Sequence, residues 1–323
     1  MVIRDAIYGR ITIDEPVIAE IIQSKPMQRL KSILQHGPAS FIQPVRTMTR
    51  FEHSVGAWYL SWRYKRPIEE QIASLLHDVP HTAFSHVADI VMNDTSHEYH
   101  DRFTKEIITK SEIPAILKKH KISLDKVLNK EGYALLENKL PDISVDRWDY
   151  FMRDGYTVGL LPKQTIKLFL ASVKEKDQQF YFEDARVAGL FAVLFMNFSR
   201  LIWLDPTSHG AHYLLAGVLR AALDKGILVH EELFQTDTYV WDKLQASGDE
   251  QISVLLARLQ PGRDFAYAPK EMAEFYGINK PRTVDPLVEQ DGELVRLSLI
   301  VPGLSEYFEE FKARHQYLGV VQK

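Results

Sequence analysis

The sequence predicts a mainly α-helical protein with a small α+β part at its C-terminal end. Two observations predict it. From residue 16 to residue 225 most segments carry apolar residues three or four apart, the period of a helix with one buried face. Strand-like runs are confined to residues 3–14 and to the region after Gly262, where Asp291-Gly292 separates LVEQ from ELVRLSLI as a hairpin turn would.

The whole chain bounds the answer further. Its 323 residues suffice for a large hydrophobic core, and 25% charged with 46% hydrophobic residues is ordinary globular composition. We expect residues 1–230 to form the core and 231–323 an α+β appendage packed on it. Net charge is −4, which gives no global basic field for nucleic acid or membrane, so neither is an expected partner. The absence of cysteine excludes disulfides, zinc–thiolate sites and a thiol nucleophile. The opening MVIRDAIYGRITIDEP lacks an apolar signal region, and the apolar run Val187–Phe198 is short for a bilayer span and ends before Arg200. A cytoplasmic protein is expected.

Taken in order, residues 3–14 mix β-branched residues with Gly9 and suit a short hairpin. Pro16 opens a helix to about residue 24, and Pro26 stands in the first turn of the next. Thr49 is placed to cap a helix that carries Arg50 and His53 on one face. The helix EEQIASLLHD delivers His77 and Asp78 at its end, because Pro80 interrupts backbone bonding. Thr82 or Ser85 should open SHVADIVM, with His86 and Asp89 on one face. Residues 103–140 read as two or three helices broken at Pro114 and near Gly132. In DISVDRWDYFMRDG, Asp142, Asp146 and Asp149 mark turns of one helix, while Asp146, Tyr150 and Asp154 align along a face. Residues 185–200 and 208–225 are apolar floor helices, and 303–315 a final amphipathic one.

Chemistry concentrates in residues 74–89, SLLHDVPHTAFSHVAD, which hold three histidines and two aspartates. Seven of the chain's 12 histidines (His36, His53, His77, His81, His86, His97, His100) fall between residues 36 and 100, far more than even scatter would place there. A lone histidine is usually a satisfied core residue. A cluster with carboxylates suits a divalent first-row metal, with further imidazoles left to move protons near neutral pH. Arg50 beside a histidine that binds a cation makes sense when a phosphate sits between them. His100 has surface as its default.

Three ordered blocks, Arg50-Phe-Glu-His-Ser54, His77-Asp78 and Val145-Asp-Arg-Trp-Asp-Tyr-Phe151, resemble the HD-domain metal-dependent phosphohydrolases, and within them the dNTP triphosphohydrolase branch. The likeness runs from about Ile3 to Asp154. It implies an HD-type helical bundle and one divalent ion (Mn, Fe, Ni, Zn or Mg) held by His53, His77, Asp78 and Asp146. By the same resemblance His81 contacts phosphate, His86 stands at the scissile bond, and His97 paired with Asp89 transfers a proton. Gln35 and Arg50 match positions that touch sugar and phosphates, Arg147 a phosphate-binding position, and Tyr150 and Asp154 positions around the sugar. A small-molecule nucleotide substrate and a homo-oligomer are what such a family implies.

The sequence departs from the family where substrate is chosen. Trp203-Leu204-Asp205-Pro206 stands where the family commonly has a Tyr-x-His-Pro-like element, and the position of an upstream phosphate-clamping arginine is apolar here, near Phe195. Three readings follow. The first is a nucleotide phosphohydrolase of the dNTP triphosphohydrolase type. The second keeps the metal but acts as a phosphomonoesterase or phosphodiesterase on another nucleotide or phosphorylated metabolite. The third is a nucleotide-sensing scaffold without turnover, against which the complete ligand set argues.

Overall fold

A computed structural model describes residues 1–96 and 98–323; His97 and the Glu131 side chain lie outside the described residues. The protein is mainly helical, as the periodicity predicts, with three small sheets among the described residues.

The N-terminal hairpin pairs Val2–Asp5 with Gly9–Thr12, and Pro16–Gln23 follows as a helix with Val17, Ile18, Ile21 and Ile22 inward. Thr49 caps the Arg50–Arg63 helix in a reciprocal capping box with Glu52, so Glu52 is committed to the helix start and not to Arg50. The Ile68–Leu76 helix ends at His77. Contrary to expectation, neither Thr82 nor Ser85 opens the next helix. Phe84 and Ser85 take left-handed backbone angles, and the helix is the short Val87–Val91 with His86 as its N-cap. The expected break at Pro114 falls just before it: one helix ends at Thr109 and the next, Ile113–Lys119, has Pro114 in its first turn, where no N–H is needed from it. The aspartate-bearing helix is Val145–Thr157, capped by Ser144, so Asp142 lies outside it.

The Arg50–Arg63 and Val145–Thr157 helices cross closely at Gly56. A Cβ there would fall 1.9 Å from Asp149 Oδ1 and 2.4 Å from an Arg153 guanidinium nitrogen, so only glycine admits this approach. Beyond it, Ala185–Phe198 supplies Phe191, Phe195 and Phe198 to the largest core cluster. Extended by a π turn to Trp203, it is one 19-residue run apolar enough to cross a membrane by length and composition alone, yet its inner face is core. Pro206–Asp224 anchors a second cluster.

Residues after 230 contribute to both clusters, Val288 and Phe308 to the first and Val240 and Phe265 to the second. Leu287–Gln290 pairs in parallel with Gln179–Phe182, and the expected Asp291-Gly292 hairpin joins it to Glu293–Arg296. A hairpin and a terminal strand escaped the sequence reading. Val173–Lys176 with Gln179–Phe182 turns at Asp177-Gln178, both at positive φ without a glycine, and Tyr317–Gln322 follows the last helix as the central strand of a three-stranded sheet.

Candidate metal centre

Three helix ends converge on one point. His53 sits in the first turns of Arg50–Arg63, His77 and Asp78 follow Leu76 directly, and Asp146 is in the first turn of Val145–Thr157. One ligand atom each from His53, His77 and Asp146 lie within 4.8 Å of one another. His53 Nε2 is 3.0 Å from Asp146 Oδ1 and 3.2 Å from His77 Nε2. Asp78 closes the group, with Oδ1 3.5 Å from His77 Nε2 and Oδ2 3.8 Å from His53 Nε2.

Both imidazoles are oriented from behind. His53 Nδ1 donates to Asp149 Oδ2 at 2.8 Å, and His77 Nδ1 donates to the Ser74 carbonyl at 2.8 Å. These bonds place the protons on Nδ1 and turn the Nε2 lone pairs inward, as a metal site requires. Asp149 is itself fully buried, gripped by Arg153 through two contacts of 2.9 Å and by the Tyr8 hydroxyl at 2.6 Å. Arg153 reaches on to Asp5 at 2.9 Å, tying the N-terminal hairpin to the site. Sequence reading placed Asp149 on its helix without a role and passed over Arg153 and Tyr8. The i,i+4 spacing of Asp149 and Arg153 is the one local signal of that support.

The electrostatics favour a cation. Burial opposes protonation of His53, yet Asp146, Asp149 and Asp78 hold its pKa up at about 10. Burial opposes ionisation of Asp146, yet His53 and His77 hold it well below the usual carboxylate range. Carboxylates gathered this tightly demand positive charge, and a divalent ion supplies it in place of protons. The donor set of two imidazole nitrogens and two carboxylates fits such an ion.

The adjoining group differs. His81 Nε2 lies 3.1 Å from Asp78 Oδ1, and its ring stacks on His100 with centroids 3.7 Å apart. His86 stands edge-on to His81 at 5.0 Å, and its Nδ1 meets Asp89 Oδ2 at 2.9 Å. His100 is thus only 8% exposed, not on the surface as expected, because the ring surfaces of His81 and His86 cover it. Burial and neighbouring cations hold His81 well below 6.5 and His100 at about 4, so both are neutral. His81, His86 and His100 form a second set with ligand-like spacing. His97, assigned a proton-transfer role by resemblance, lies outside the described residues.

The expected substrate contacts divide. Arg50 is buried on the cluster, its guanidinium 3.0 Å from Asp78 Oδ2 and 3.0 Å from Ser85 Oγ. Gln35 is carried beside the start of that helix, with its N–H donating to the Met48 carbonyl and its Oε1 buried without a hydrogen bond among the described residues. Tyr150 lies with its ring 6.4 Å from that of His53 and edge-on to Trp203 at 5.1 Å. Asp154 accepts from Trp203 Nε1 at 2.7 Å and lies 3.4 Å from His36 Nε2. Arg147 is not brought in, since its guanidinium donates to the carbonyls of Asn138 and Asp142. Asp205 caps the Pro206–Asp224 helix through Ser208 N–H and pairs with Arg46 at 3.3 Å, so its charge is already neutralised.

Residues 50–154 match the family model of the HD domain. The metal-dependent phosphohydrolase cns2 of Cordyceps militaris is 30% identical over 94% of this chain and 89% of its own. An uncharacterised protein of Bacillus subtilis, YdhJ, is 35% identical over 95% of this chain and 93% of its own. This chain belongs to the HD-domain metal-dependent phosphohydrolases. A Dictyostelium discoideum homologue of the deoxynucleoside triphosphate triphosphohydrolase SAMHD1 is 24% identical over 72% of this chain and 51% of its own. Among solved structures, a phosphohydrolase from Bacteroides thetaiotaomicron shares the fold, with a TM-score of 0.76, 19% identity and coverage of 99% of this chain and 98% of its own. The enzyme is thus a phosphohydrolase of the HD type, with a His/Asp cluster fit for its metal.

Proposed function

We propose that this phosphohydrolase acts on a nucleotide, in the manner of a deoxynucleoside triphosphate triphosphohydrolase. The observation that carries the reading is the two-imidazole, two-carboxylate cluster bordered by Arg50 on one side and by Tyr150 and Asp154 on the other. The likeness to a SAMHD1 homologue supports the finer assignment.

His53, His77, Asp78 and Asp146 would hold the divalent ion, which when bound lowers the pKa of water and polarises a phosphoryl oxygen. Asp149 and the Ser74 carbonyl keep the two imidazoles in register for that role. Arg50 stands where it can share its charge between Asp78 and a phosphate oxygen. Water attacks phosphorus, a new P–O bond forms, and the bond to the nucleoside oxygen breaks. The leaving oxygen takes a proton from the histidine group, where Asp89 orients His86. His81, neutral and hydrogen-bonded to Asp78, contacts the phosphate.

A second reading, cleavage of a monophosphate or diester, is favoured by one observation. Asp154 engages both His36 and Trp203, so this wall has polar partners of its own. Product analysis separates the readings. Metal-loaded protein is offered dNTPs, NTPs, monophosphates and a generic phosphodiester. Tripolyphosphate released from a dNTP, and absent with Asp78→Ala, supports the first. Orthophosphate from monophosphates, or diester cleavage, with no tripolyphosphate from any nucleotide, overturns it.

A further inference from the structure

Arg282 is the exception among the arginines near the site. Arg50 is paired with Asp78, Arg46 with Asp205, Arg153 with Asp149 and Asp5, and Arg147 with backbone carbonyls. Among the described residues the Arg282 guanidinium has no hydrogen bond and no ion pair. Its contacts are ring faces, with Tyr150 at 5.4 Å and Trp203 at 5.7 Å from the guanidinium carbon.

Its backbone is held firmly. The Arg282 N–H donates to Ser199 Oγ at 2.8 Å, and Ser199 is fully buried in the π turn that also carries Trp203. Thr283 is 1% exposed, and two residues on Asp285 N–H donates to the Pro141 carbonyl while its carboxylate accepts from Ser298 N–H and hydroxyl. A half-buried guanidinium fixed in this way loses water without gaining a counter-charge. Stacking on two rings repays only part of that loss. The planar fork remains open to an anion, which it would meet with two parallel hydrogen bonds.

The location tells which anion. Tyr150 adjoins Arg282 on one side and His53 of the metal cluster on the other. Among the described residues Arg282 makes no ion pair with Asp78 or Asp146, so it is not part of the metal cluster. It stands one tyrosine ring away from His53.

We propose that Arg282, delivered from the C-terminal part, binds a phosphoryl group of the substrate next to the one attacked, and so selects nucleotides with more than one phosphate. The inference rests on the nucleotide reading above. The two acidic residues about Trp203 are both engaged, Asp205 with Arg46 and Asp154 with His36 and Trp203 Nε1.

The test uses metal-loaded wild type, Arg282→Gln and Arg282→Lys. Initial rates with the mono-, di- and triphosphate of one nucleoside are measured alongside calorimetric titration with inorganic tripolyphosphate. The expected result is a KM for the triphosphate at least about tenfold higher in Arg282→Gln, with kcat changed by less than about threefold. The rise is several times larger than for the monophosphate, metal content stays constant, and Arg282→Lys recovers part of the loss. An equal rise for all three nucleotides, or unchanged tripolyphosphate affinity, overturns the inference. The two proposals fail separately. Turnover of a dNTP to tripolyphosphate with Arg282→Gln indistinguishable from wild type sinks the role of Arg282 alone. Loss of tripolyphosphate affinity in Arg282→Gln, with no nucleotide turned over by wild type, upholds the anion site and sinks the nucleotide reading.

Discussion

Two histidine groups meet at one carboxylate, Asp78, and sit in opposite electrostatic surroundings. His53 and His77 face Asp78 and Asp146, with Asp149 behind His53, and their affinity for protons is raised. His81 and His100 face each other, His86 and the charge of Arg50, and their affinity for protons is depressed. Residue type is the same in both, so the neighbours decide. Where carboxylates outnumber cations the imidazoles belong to a site that needs a metal. Where rings pack on rings, His81 and His100 stay neutral and serve as hydrogen-bond partners.

The comparison breaks most visibly when the metal goes. Chelation should abolish hydrolysis and readdition of a divalent ion restore it, and Asp146→Asn should lower activity by about 10³-fold or more with loss of bound metal, as read by elemental analysis and rate. On the other side, His86→Gln should keep its metal and lower kcat by about 10²-fold or more. Loss of metal with His86→Gln would erase the distinction between the groups.

The support behind His53 gives a smaller effect. Asp149→Asn should weaken metal affinity by about 10- to 100-fold, with activity recovered at excess metal. Gly56→Ala, which drives a methyl group onto Asp149, should cost about 1–3 kcal/mol of stability and weaken the metal in parallel, checked by denaturant titration with metal present and absent. Unchanged metal affinity in both variants would show that His53 is held by something else.

The smallest effect sharpens the rule that burial without carboxylates keeps histidine neutral. His209 and His212, on the Pro206–Asp224 helix, are both held by burial at about 4. A folded pKa below the unfolded value of about 6.5 gives stability that is complete above pH 6.5 and lost as pH falls towards 4. The thermal midpoint should decline over that window, and His212→Gln should decline less. Equal declines would assign the loss to other groups.

Much of this was legible in the chain. The set His53, His77, Asp78 and Asp146 comes from the family resemblance of three short blocks, while the Thr49 cap and the stop at Pro80 place two of the helix ends that carry it. The chain says less about what lies behind them. Asp149 supports His53 only because Gly56 lets two helices touch, and Tyr8 and Asp5 reach the site from the far end of the chain. His100 looked like surface because ring stacking on His81 depends on the left-handed turn at Phe84-Ser85, which neither residue advertises. Arg147 looked like a phosphate ligand by position, but the loop before its helix offers it three nearer contacts at two carbonyls.

The most direct measurement is metal stoichiometry by elemental analysis of wild type, His77→Ala and His100→Ala. The account predicts one divalent ion per chain in wild type and in His100→Ala, and almost none in His77→Ala. Two ions per chain in wild type, or metal lost from His100→Ala and kept by His77→Ala, would contradict it.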